Sequence, residues 1–290
     1  MPVSLRSRLP RATPDDLLRM VYRAASGNLP SRGIGRFADL PLPRPVLDAM
    51  VASYCRVCGI SLGEAEVPAG GFPTFDAFFT RRLKPGARVV DASADVIASP
   101  SDGRVQSVGR VERGMVVQAK GRDYELCDLL GDRELALGLE GGPFLTIYLS
   151  PRDYHRVHFP CDGEVAGSRY SPGRLYTVAP RATRVVPRLF AQNERITTIA
   201  GTAFGQVALV MVGATGVGRI SVSYCDLRTN VGRRSECRDI SPPVPFRKGD
   251  ELGTFHLGST VVLVLEPGPW SFRVGVGDVL RMGQPVLVRG

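Results

Sequence analysis

The chain of 290 residues is long enough to bury the core of one large domain, and 43% of its residues are hydrophobic. Its formal net charge of +9 favours anionic partners such as a phospholipid surface or a nucleic acid, without choosing between them. Arg19 and Arg23 interrupt the apolar positions near the N-terminus, and no apolar run approaches the ~20 residues of a membrane span. These features exclude a transmembrane protein and predict a cytoplasmic one whose membrane contact is peripheral.

Six cysteines occur without regular spacing, and two of them form a single C-x-x-C, "CRVC" at 55–58. Because no second pair accompanies this motif and it falls on an apolar helical pattern, packed thiols in a reducing compartment are favoured. A zinc site or a redox pair is the alternative.

The first 85 residues have the pattern of helices. "TPDD" at 13–16 supplies a capping threonine, a proline for the first turn and two acids, and apolar residues follow at helical spacing until about residue 27. A second helix is predicted from Val46 to Cys58 and ends at Gly59. A third, short helix is predicted from Thr74, with apolar positions at Phe75, Phe78, Phe79 and Leu83 and with Arg81 and Arg82 beside them.

From residue 86 onward the sequence changes to short, β-branched apolar runs separated by Gly, Asp and Pro, such as "FLTIYLS", "GQVALVMVG" and "STVVLVLEPG". Such runs with regular turn signals predict antiparallel β structure. The predicted fold is therefore α+β and mainly β. It combines a helical, membrane-associating region at 1–85 with a sandwich or barrel-like catalytic domain at 86–290. "DGEV" and "KGDELGTF" resemble hairpins of hybrid-barrel domains.

Histidine is scarce, so the search for catalytic groups is narrow. His155 and His158 lie in "YLSPRDYHRVHFP", and His256 lies near the C-terminus. The two prolines around His155 and His158 favour a turn that enters a strand, where side chains three residues apart point to opposite faces. We therefore predict no metal site there.

Two further motifs are ambiguous in isolation. "SPSDGRV" at 99–105 predicts a turn with Asp102 at its tip, and "FHLGSTVVLV" at 255–264 places Gly258 and Ser259 where a buried strand begins. Asp102, His158 and Ser259 are the residue types of an orienting acid, a base and a nucleophile. Their spacing does not show whether they meet.

Six segments resemble the signature blocks of the phosphatidylserine decarboxylase family, in family order from about residue 75 to 268. They are "FDAFFTRRLKPGAR", "SPSDGRV", "YLSPRDYHRVHFP", "PRLFAQNERI", "MVGATGVG" and "KGDELGTFHLGSTVVLVLEPG". The resemblance implies that L-G-S-T at 257–260 is a self-processing motif. Ser259 would attack the carbonyl of Gly258, the chain would be cleaved into 1–258 and 259–290, and Ser259 would become a pyruvoyl group.

The resemblance also implies roles for individual residues. His158 would be the base for self-cleavage, oriented by Asp102, and His155 would act at the decarboxylation stage, while His256 receives no role. The pyruvoyl group derived from Ser259 would be the cofactor, because its carbonyl withdraws electrons as CO₂ leaves the bound amine.

The expected reaction converts phosphatidylserine into phosphatidylethanolamine at the cytoplasmic side of the cell membrane. The expected partners are this substrate, an anionic membrane surface and the two chains of one precursor, with homo-oligomerisation left open and no nucleic acid. The candidate membrane contact is Leu17, Leu18, Val21 and the Phe75–Phe79 cluster. Two alternatives remain: a pyruvoyl-dependent decarboxylase of a soluble amino acid or another aminophospholipid, and a non-catalytic carrier-like β domain.

Overall fold

Antiparallel strands are the commonest regular elements of the structure, a computed structural model that describes residues 13–119, 122–216, 219–232, 234–256 and 258–290. The helices are α1 (Pro14–Ala25), α2 (Asn28–Ala38), α3 (Arg44–Cys58), α4 (Phe75–Phe79), α5 (Leu126–Leu130), α6 (Arg133–Gly138), α7 (Pro180–Val185) and α8 (Leu189–Gln192). The first eight strands are β1 (Val96–Ala98), β2 (Gly103–Arg110), β3 (Met115–Ala119), β4 (Arg122–Glu125), β5 (Pro143–Leu149), β6 (Arg156–His158), β7 (Gly163–Ser171) and β8 (Arg195–Thr202). The others are β9 (Gly205–Gly213), β10 (Arg219–Val222), β11 (Glu236–Phe246), β12 (Glu251–His256), β13 (Ser259–Leu265), β14 (Trp270–Phe272), β15 (Val279–Leu280) and β16 (Pro285–Arg289).

The largest sheet has eight strands in the order β11-β7-β8-β9-β13-β5-β2-β15, with antiparallel neighbours. Two three-stranded sheets, β1-β16-β14 and β10-β12-β6, accompany it. The prediction of a mainly β, antiparallel α+β fold is confirmed. Of the two predicted forms the sandwich fits, because β11 and β15 are open edges among the described residues and the large sheet does not close into a barrel there.

Strand β13 lies inside the large sheet and is buried at every residue. Its side chains alternate between two cores, as the two-residue period of a strand requires. Val261 and Leu263 pack against the two small sheets, in a cluster that includes Val157 and Phe255. Val262 and Val264, with the helices α5, α7 and α8, form the second core. Full burial of such side chains stabilises the fold by about 1.5–3 kcal/mol each.

The N-terminal helices largely follow their sequence signals. Thr13 and Asp16 form the capping box of α1, and α3 ends at Gly59 in the left-handed conformation. Helix α4 begins after Thr74 but ends at Phe79, so Arg81, Arg82 and Leu83 lie beyond it. Helix α2 is absent from the prediction because its sequence, "NLPSRGIGRFA", contains one proline and two glycines.

The aromatic residues of α4 contribute to a small core. Phe78 and Phe79 are almost completely buried, and together with the partly buried Phe75 they pack edge-on against Tyr54. The predicted membrane contact is therefore wrong for Phe78 and Phe79, since aromatic packing against α3 removes their rings from the surface, and it stays a prediction for Phe75.

Two of the three leucine and valine residues proposed as membrane contacts are accessible. Leu17 and Val21 of α1 are exposed, whereas Leu18 is partly buried against the helical core. Within the described ranges no helix is both long and apolar enough to cross a bilayer. Residues 1–12 of the predicted helical region lie outside these ranges, and the boundary at residue 85 stays a prediction.

Candidate active site

Ser259 is the first residue of β13 and is completely buried. Its backbone pairs with Leu149 of β5 on one side and with Gly213 of β9 on the other. Its Oγ atom is buried and has no hydrogen-bond partner within the described residues. A buried hydroxyl without a partner is destabilising by about 1–3 kcal/mol, so its retention points to chemistry.

Gly258 has the left-handed backbone conformation, with φ of +64°. A Cβ atom added there would lie 3.6 Å from the Cβ of Ala214 and from the carbonyl oxygen of Thr215, which are ordinary contacts. The conformation, and not crowding, is therefore what requires glycine, since a non-glycine residue there costs roughly 1–2 kcal/mol. Leu257, which precedes it, lies outside the described residues.

Asp102 is held firmly at the tip of the predicted turn. Its carboxylate accepts hydrogen bonds from Nε (2.8 Å) and Nη2 (2.5 Å) of Arg88 and from the backbone N–H of Met282 (2.8 Å). Hydrogen bonding to Asp102 raises the pKa of Arg88. The next residue, Gly103, has φ of +148°, and a Cβ there would lie 2.6 Å from the carbonyl oxygen of Tyr148. The turn therefore needs glycine directly after Asp102.

His158 lies beside this turn, because its backbone N–H donates to the carbonyl of Pro100 (2.8 Å). Its Nδ1 atom lies 2.7 Å from the carbonyl oxygen of Gly249, and its Nε2 atom lies 3.2 Å from the hydroxyl of Tyr154. A carbonyl can only accept, so Nδ1 carries the proton and Nε2 accepts from Tyr154. Burial lowers the pKa of His158 and keeps the ring neutral.

The structure does not bring Asp102 onto the ring of His158, as the sequence-based assignment expected. The oxygens of Asp102 are occupied by Arg88 and by the backbone of Met282, and the carbonyl of Gly249 fixes the tautomer of His158 instead. Asp102 is near enough for its charge to act on His158, as a minor influence.

His155 lies in the loop between β5 and β6 and is almost completely buried against the ring of Phe79, with 4.2 Å between the ring centres. Its Nδ1 donates to the carbonyl of Asp153 (2.8 Å), while its Nε2 is buried and has no partner in the described part of the chain. Burial lowers the pKa of His155 to about 3. The ring is therefore a neutral imidazole whose unprotonated Nε2 has no hydrogen-bond partner among the described residues.

Strand register places the backbone of His155 nearer than the backbone of His158 to the end of β12 that leads to the Gly258–Ser259 bond. In the β12–β6 pair Glu251 lies opposite His158, whereas Phe255, much closer to Ser259 along the chain, donates its N–H to the carbonyl of His155 (2.9 Å). The loop that carries His155 leaves β5 at Leu149, the residue that pairs with Ser259. The loop that carries His155 is therefore adjacent both to the end of β12 before the expected cleavage point and to the start of β13 after it.

His256 belongs to a cluster of charged residues that joins α2 and α4 to the strands. Its Nδ1 lies 2.9 Å from the carboxylate of Asp76, and its Nε2 lies 3.1 Å from the hydroxyl of Ser221. Arg219 binds Asp39 with two hydrogen bonds (2.6 and 2.9 Å) and also reaches Asp76 (3.1 Å). This cluster anchors the strand that leads to Ser259.

Sequence reasoning missed Arg88 and Tyr154 as members of the site. Both lie inside the blocks that resemble the family, at the end of "FDAFFTRRLKPGAR" and within "YLSPRDYHRVHFP". Their position within these blocks was the signal that could have identified them. An arginine or a tyrosine does not indicate by its residue type which atom its side chain will bind.

A buried serine after a left-handed glycine, with two neutral histidines on an adjacent segment, is the reactive centre expected of a self-processing enzyme. The family model described as phosphatidylserine decarboxylase matches residues 75–288. The chain is 42% identical over 280 residues to the phosphatidylserine decarboxylase proenzyme of Anaeromyxobacter sp. (strain K), which covers 94% of this chain and 98% of the relative.

Two further relatives carry the same description. The proenzyme of Myxococcus xanthus (strain DK1622) is 42% identical over 257 residues, 88% of this chain and 92% of the relative. That of Brevibacillus brevis is 41% identical over 268 residues, 90% and 94% of the two chains. The chain therefore belongs to the phosphatidylserine decarboxylase family, and the sequence-based resemblance is confirmed.

The burial of His155 predicts a specific pH dependence of stability. The pKa falls from 6.5 to about 3 on folding, so the unfolded chain binds more protons between these values. The contribution is fully present above pH 6.5 and is lost as the pH falls towards 3. The test uses the Ser259→Ala protein, in which the chain stays intact. Below pH 6.5 its free energy of unfolding should fall with pH more steeply than that of the same protein with His155→Gln, by up to about 1.4 kcal/mol per pH unit. Urea unfolding between pH 5 and 7 measures it, and parallel slopes would contradict the burial of a neutral ring.

Proposed function

We propose that this chain is a proenzyme that cleaves itself between Gly258 and Ser259 and then decarboxylates phosphatidylserine to phosphatidylethanolamine. The observation that carries the proposal is the buried, unpartnered hydroxyl of Ser259 directly after a left-handed glycine, in a chain of this family. A carrier-like β domain without catalysis is disfavoured, because the matching family model and the relatives are described as phosphatidylserine decarboxylases.

Self-cleavage uses groups of the chain itself. The Oγ of Ser259 attacks the carbonyl carbon of Gly258 while a histidine takes its proton, and the C–N bond breaks as the proton passes to the nitrogen of Ser259. Removal of the α-proton of Ser259 then breaks the ester. Gly258 leaves as a carboxylate, and the remaining dehydroalanine adds water and loses ammonia to give the pyruvoyl end.

The residues around Ser259 fit a pyruvoyl group. When present, that group supplies a carbonyl that binds the substrate amine and accepts electron density as CO₂ departs. Backbone pairing of β13 with β5 and β9 holds the end of the strand in place. The free Nε2 of His155 provides a proton acceptor in the same buried region.

We propose that His158 takes the proton of Ser259 and that His155 acts at the decarboxylation stage, as the family resemblance implies. Burial lowers the pKa of His155 to about 3, which makes its free Nε2 a weak base. Burial also lowers the pKa of His158, but the carbonyl of Gly249 and the charges of Glu251 and Asp102 oppose that shift. The Nε2 of His158 accepts a hydrogen bond of 3.2 Å from Tyr154, which it would exchange for the hydroxyl of Ser259.

Membrane contact is proposed for the exposed apolar side chains of α1, α2 and the residues just after α2, which are Leu17, Met20, Val21, Leu29, Ile34, Phe37 and Leu40. Exposed arginines, including Arg23 and Arg36, lie on the same helices. Apolar side chains beside arginines suit the surface of an anionic bilayer, where apolar insertion and charge attraction combine. The protein would thus bind peripherally at the cytoplasmic side of the cell membrane, which brings its site to a substrate that cannot leave the bilayer cheaply.

Replacement of the serine tests the first step. Ser259→Ala should leave one full-length chain of 290 residues, whereas the wild type should give chains of 1–258 and 259–290, because alanine has no nucleophile. Intact-mass spectrometry of both proteins distinguishes these results, and also detects the pyruvoyl end of the small chain. Two chains from the alanine variant would refute the proposed cleavage chemistry.

The roles of the two histidines can be separated by the rate of cleavage. His158→Ala should slow self-cleavage by about 10²–10⁴-fold, the usual contribution of a general base, and His155→Ala should slow it much less. Electrophoresis of samples taken during refolding or synthesis gives the rates. Normal cleavage of His158→Ala together with a block in His155→Ala would contradict this assignment.

Membrane contact can be tested by flotation with vesicles that contain phosphatidylserine. The triple variant Leu17→Gln, Leu29→Gln, Phe37→Gln should float less than the wild type while still cleaving itself, because these side chains are exposed and contribute little to the core. Leu137→Gln, an equally exposed position on α6, is the matched control. High salt should weaken wild-type binding without abolishing it. Unchanged flotation of the triple variant would place the membrane surface elsewhere.

A further inference from the structure

Helix α2 contributes two arginines to a cavity that the reactive centre does not use. Arg32 and Arg36 lie one turn apart, and together with Arg219 of β10 they line a cavity of about 300 Å³. Another part of its wall is the turn that contains Thr229 and Asn230. This volume lies at the lower end of the range for small-ligand pockets.

Arg32 is held in place by the structure but keeps free donors. It is partly buried, and its Nε donates to the side-chain oxygen of Asn230 (3.2 Å). A Cβ atom added at Gly232 would lie 3.3 Å from Nη2 of Arg32, so the glycine leaves room beside the guanidinium. Among the residues that the structure describes, no group accepts a hydrogen bond from Nη1 or Nη2 of Arg32. Neither atom is enclosed by the protein, so a ligand in the cavity can reach both.

The positive charge around the cavity exceeds the negative charge. Asp39 is the single acid among the described lining residues, and both of its oxygens accept hydrogen bonds from Arg219 (2.6 and 2.9 Å). Arg32 and the exposed Arg36 form no ion pair with any residue in the described ranges. Glu194 is near enough to Arg32 for their charges to interact, but burial raises the pKa of this carboxyl group. The two arginines of α2 are therefore available to an anion.

The cavity adjoins the surface proposed for membrane contact. Leu29 and Arg36 are seven residues apart, which is two helical turns, so both lie on the same side of α2. Leu29 is 79% exposed, and Phe37, directly after Arg36, is 49% exposed. The phosphate groups of a bilayer lie just outside its apolar region. Insertion of these apolar side chains would therefore bring lipid phosphates to the arginines.

The cavity is also connected to the strand that leads to Ser259. Arg219, which lines it, lies opposite His256 in the pairing of β10 with β12. His256 is three residues before Ser259. A lipid headgroup in this cavity would thus be held beside the strand end at which the chain is expected to be cleaved.

We propose that this cavity binds the phosphate group of a phospholipid headgroup, with the guanidinium groups of Arg32 and Arg36 as donors. The inference rests on the membrane contact in the proposed function. A phosphate group has several acceptor oxygens that point in different directions, so two arginines on successive turns can bind it together. Guanidinium groups suit this ligand because their N–H groups form paired, charge-assisted hydrogen bonds with phosphate oxygens.

The first test measures binding of one lipid molecule to the Ser259→Ala precursor by isothermal titration calorimetry. The probe is a short-chain phosphatidylglycerol below its micellar concentration, which has the phosphodiester but neither the amine nor the carboxylate of phosphatidylserine. Arg32→Gln with Arg36→Gln should raise Kd by about 10- to 150-fold, the usual effect of losing hydrogen bonds to a charged group. Inorganic phosphate should bind the precursor more weakly than the lipid does.

The matched control replaces two exposed arginines on other helices, Arg56→Gln with Arg133→Gln, and changes the net charge equally. Its Kd should equal that of the precursor. Arg36→Gln alone removes no contact within the described residues, so it should keep the thermal midpoint of the precursor and still weaken binding. This single variant keeps the test decisive if loss of the bond between Arg32 and Asn230 impairs folding.

The second test uses flotation with vesicles of phosphatidylglycerol and phosphatidylcholine. At low salt the variant that lacks both arginines of α2 should float less than the precursor, and at high salt the two should float equally, because salt screens the charge attraction. The control variant should float like the precursor at both salt concentrations.

Three outcomes would overturn the inference. They are an unchanged Kd without both arginines, an equal loss of affinity in the control variant, and no binding of the lipid to the precursor. Inorganic phosphate that binds as tightly as the lipid would assign the cavity to a free anion instead. Neither test uses cleavage or decarboxylation, so failure of the wild type in those steps would contradict the proposed function and not this site.

Discussion

The burial of β13 between β9 and β5 is the constraint on which the site depends. Every residue of this strand is buried, and both of its edges are hydrogen-bonded, so its first residue has no freedom to move. Ser259 is held there with an unpartnered hydroxyl, while Gly258 takes the left-handed conformation that turns the chain from one sheet into the other. The core of the protein thereby positions the nucleophile, and the nearby loops supply the proton acceptors.

Local sequence signals were sufficient to predict the elements that are stabilised mainly by residues close to them in sequence. The capping residues of α1, the terminal glycine of α3 and the apolar runs of the strands all appear in the structure where the patterns indicate. Helix α2 was missed because its proline and glycines oppose helix formation, and tertiary contacts such as the bond between Arg219 and Asp39, just after its last residue, favour it instead. The open sandwich could not be derived from runs of alternating residues, since barrels and sandwiches share that pattern.

The candidate site was only partly predictable for a similar reason. Asp102, His155, His158 and Ser259 were identified from the sequence, but their pairing depends on long-range geometry. The hydrogen bond from Arg88 to Asp102 joins residues 14 positions apart, and the one from Nδ1 of His158 to the carbonyl of Gly249 joins residues 91 positions apart. Residue type identifies a candidate catalytic or binding residue, whereas its hydrogen-bond partners show which of its polar atoms are available for chemistry or binding.

The position of β13 has a consequence for the two chains that cleavage would produce. The short chain, 259–290, contains β13, β14, β15 and β16. Strands β13, β15 and β16 pair with strands of the long chain in two different sheets, and β14 pairs with β16. Its first strand is enclosed on both edges, so separation would expose the centre of the hydrophobic core and not merely a surface contact. The cleaved protein would therefore unfold before it dissociated, and dilution alone would not separate its chains. The peptide bond between Gly258 and Ser259 can be cleaved without separating the chains, because strand pairing and core packing hold them together.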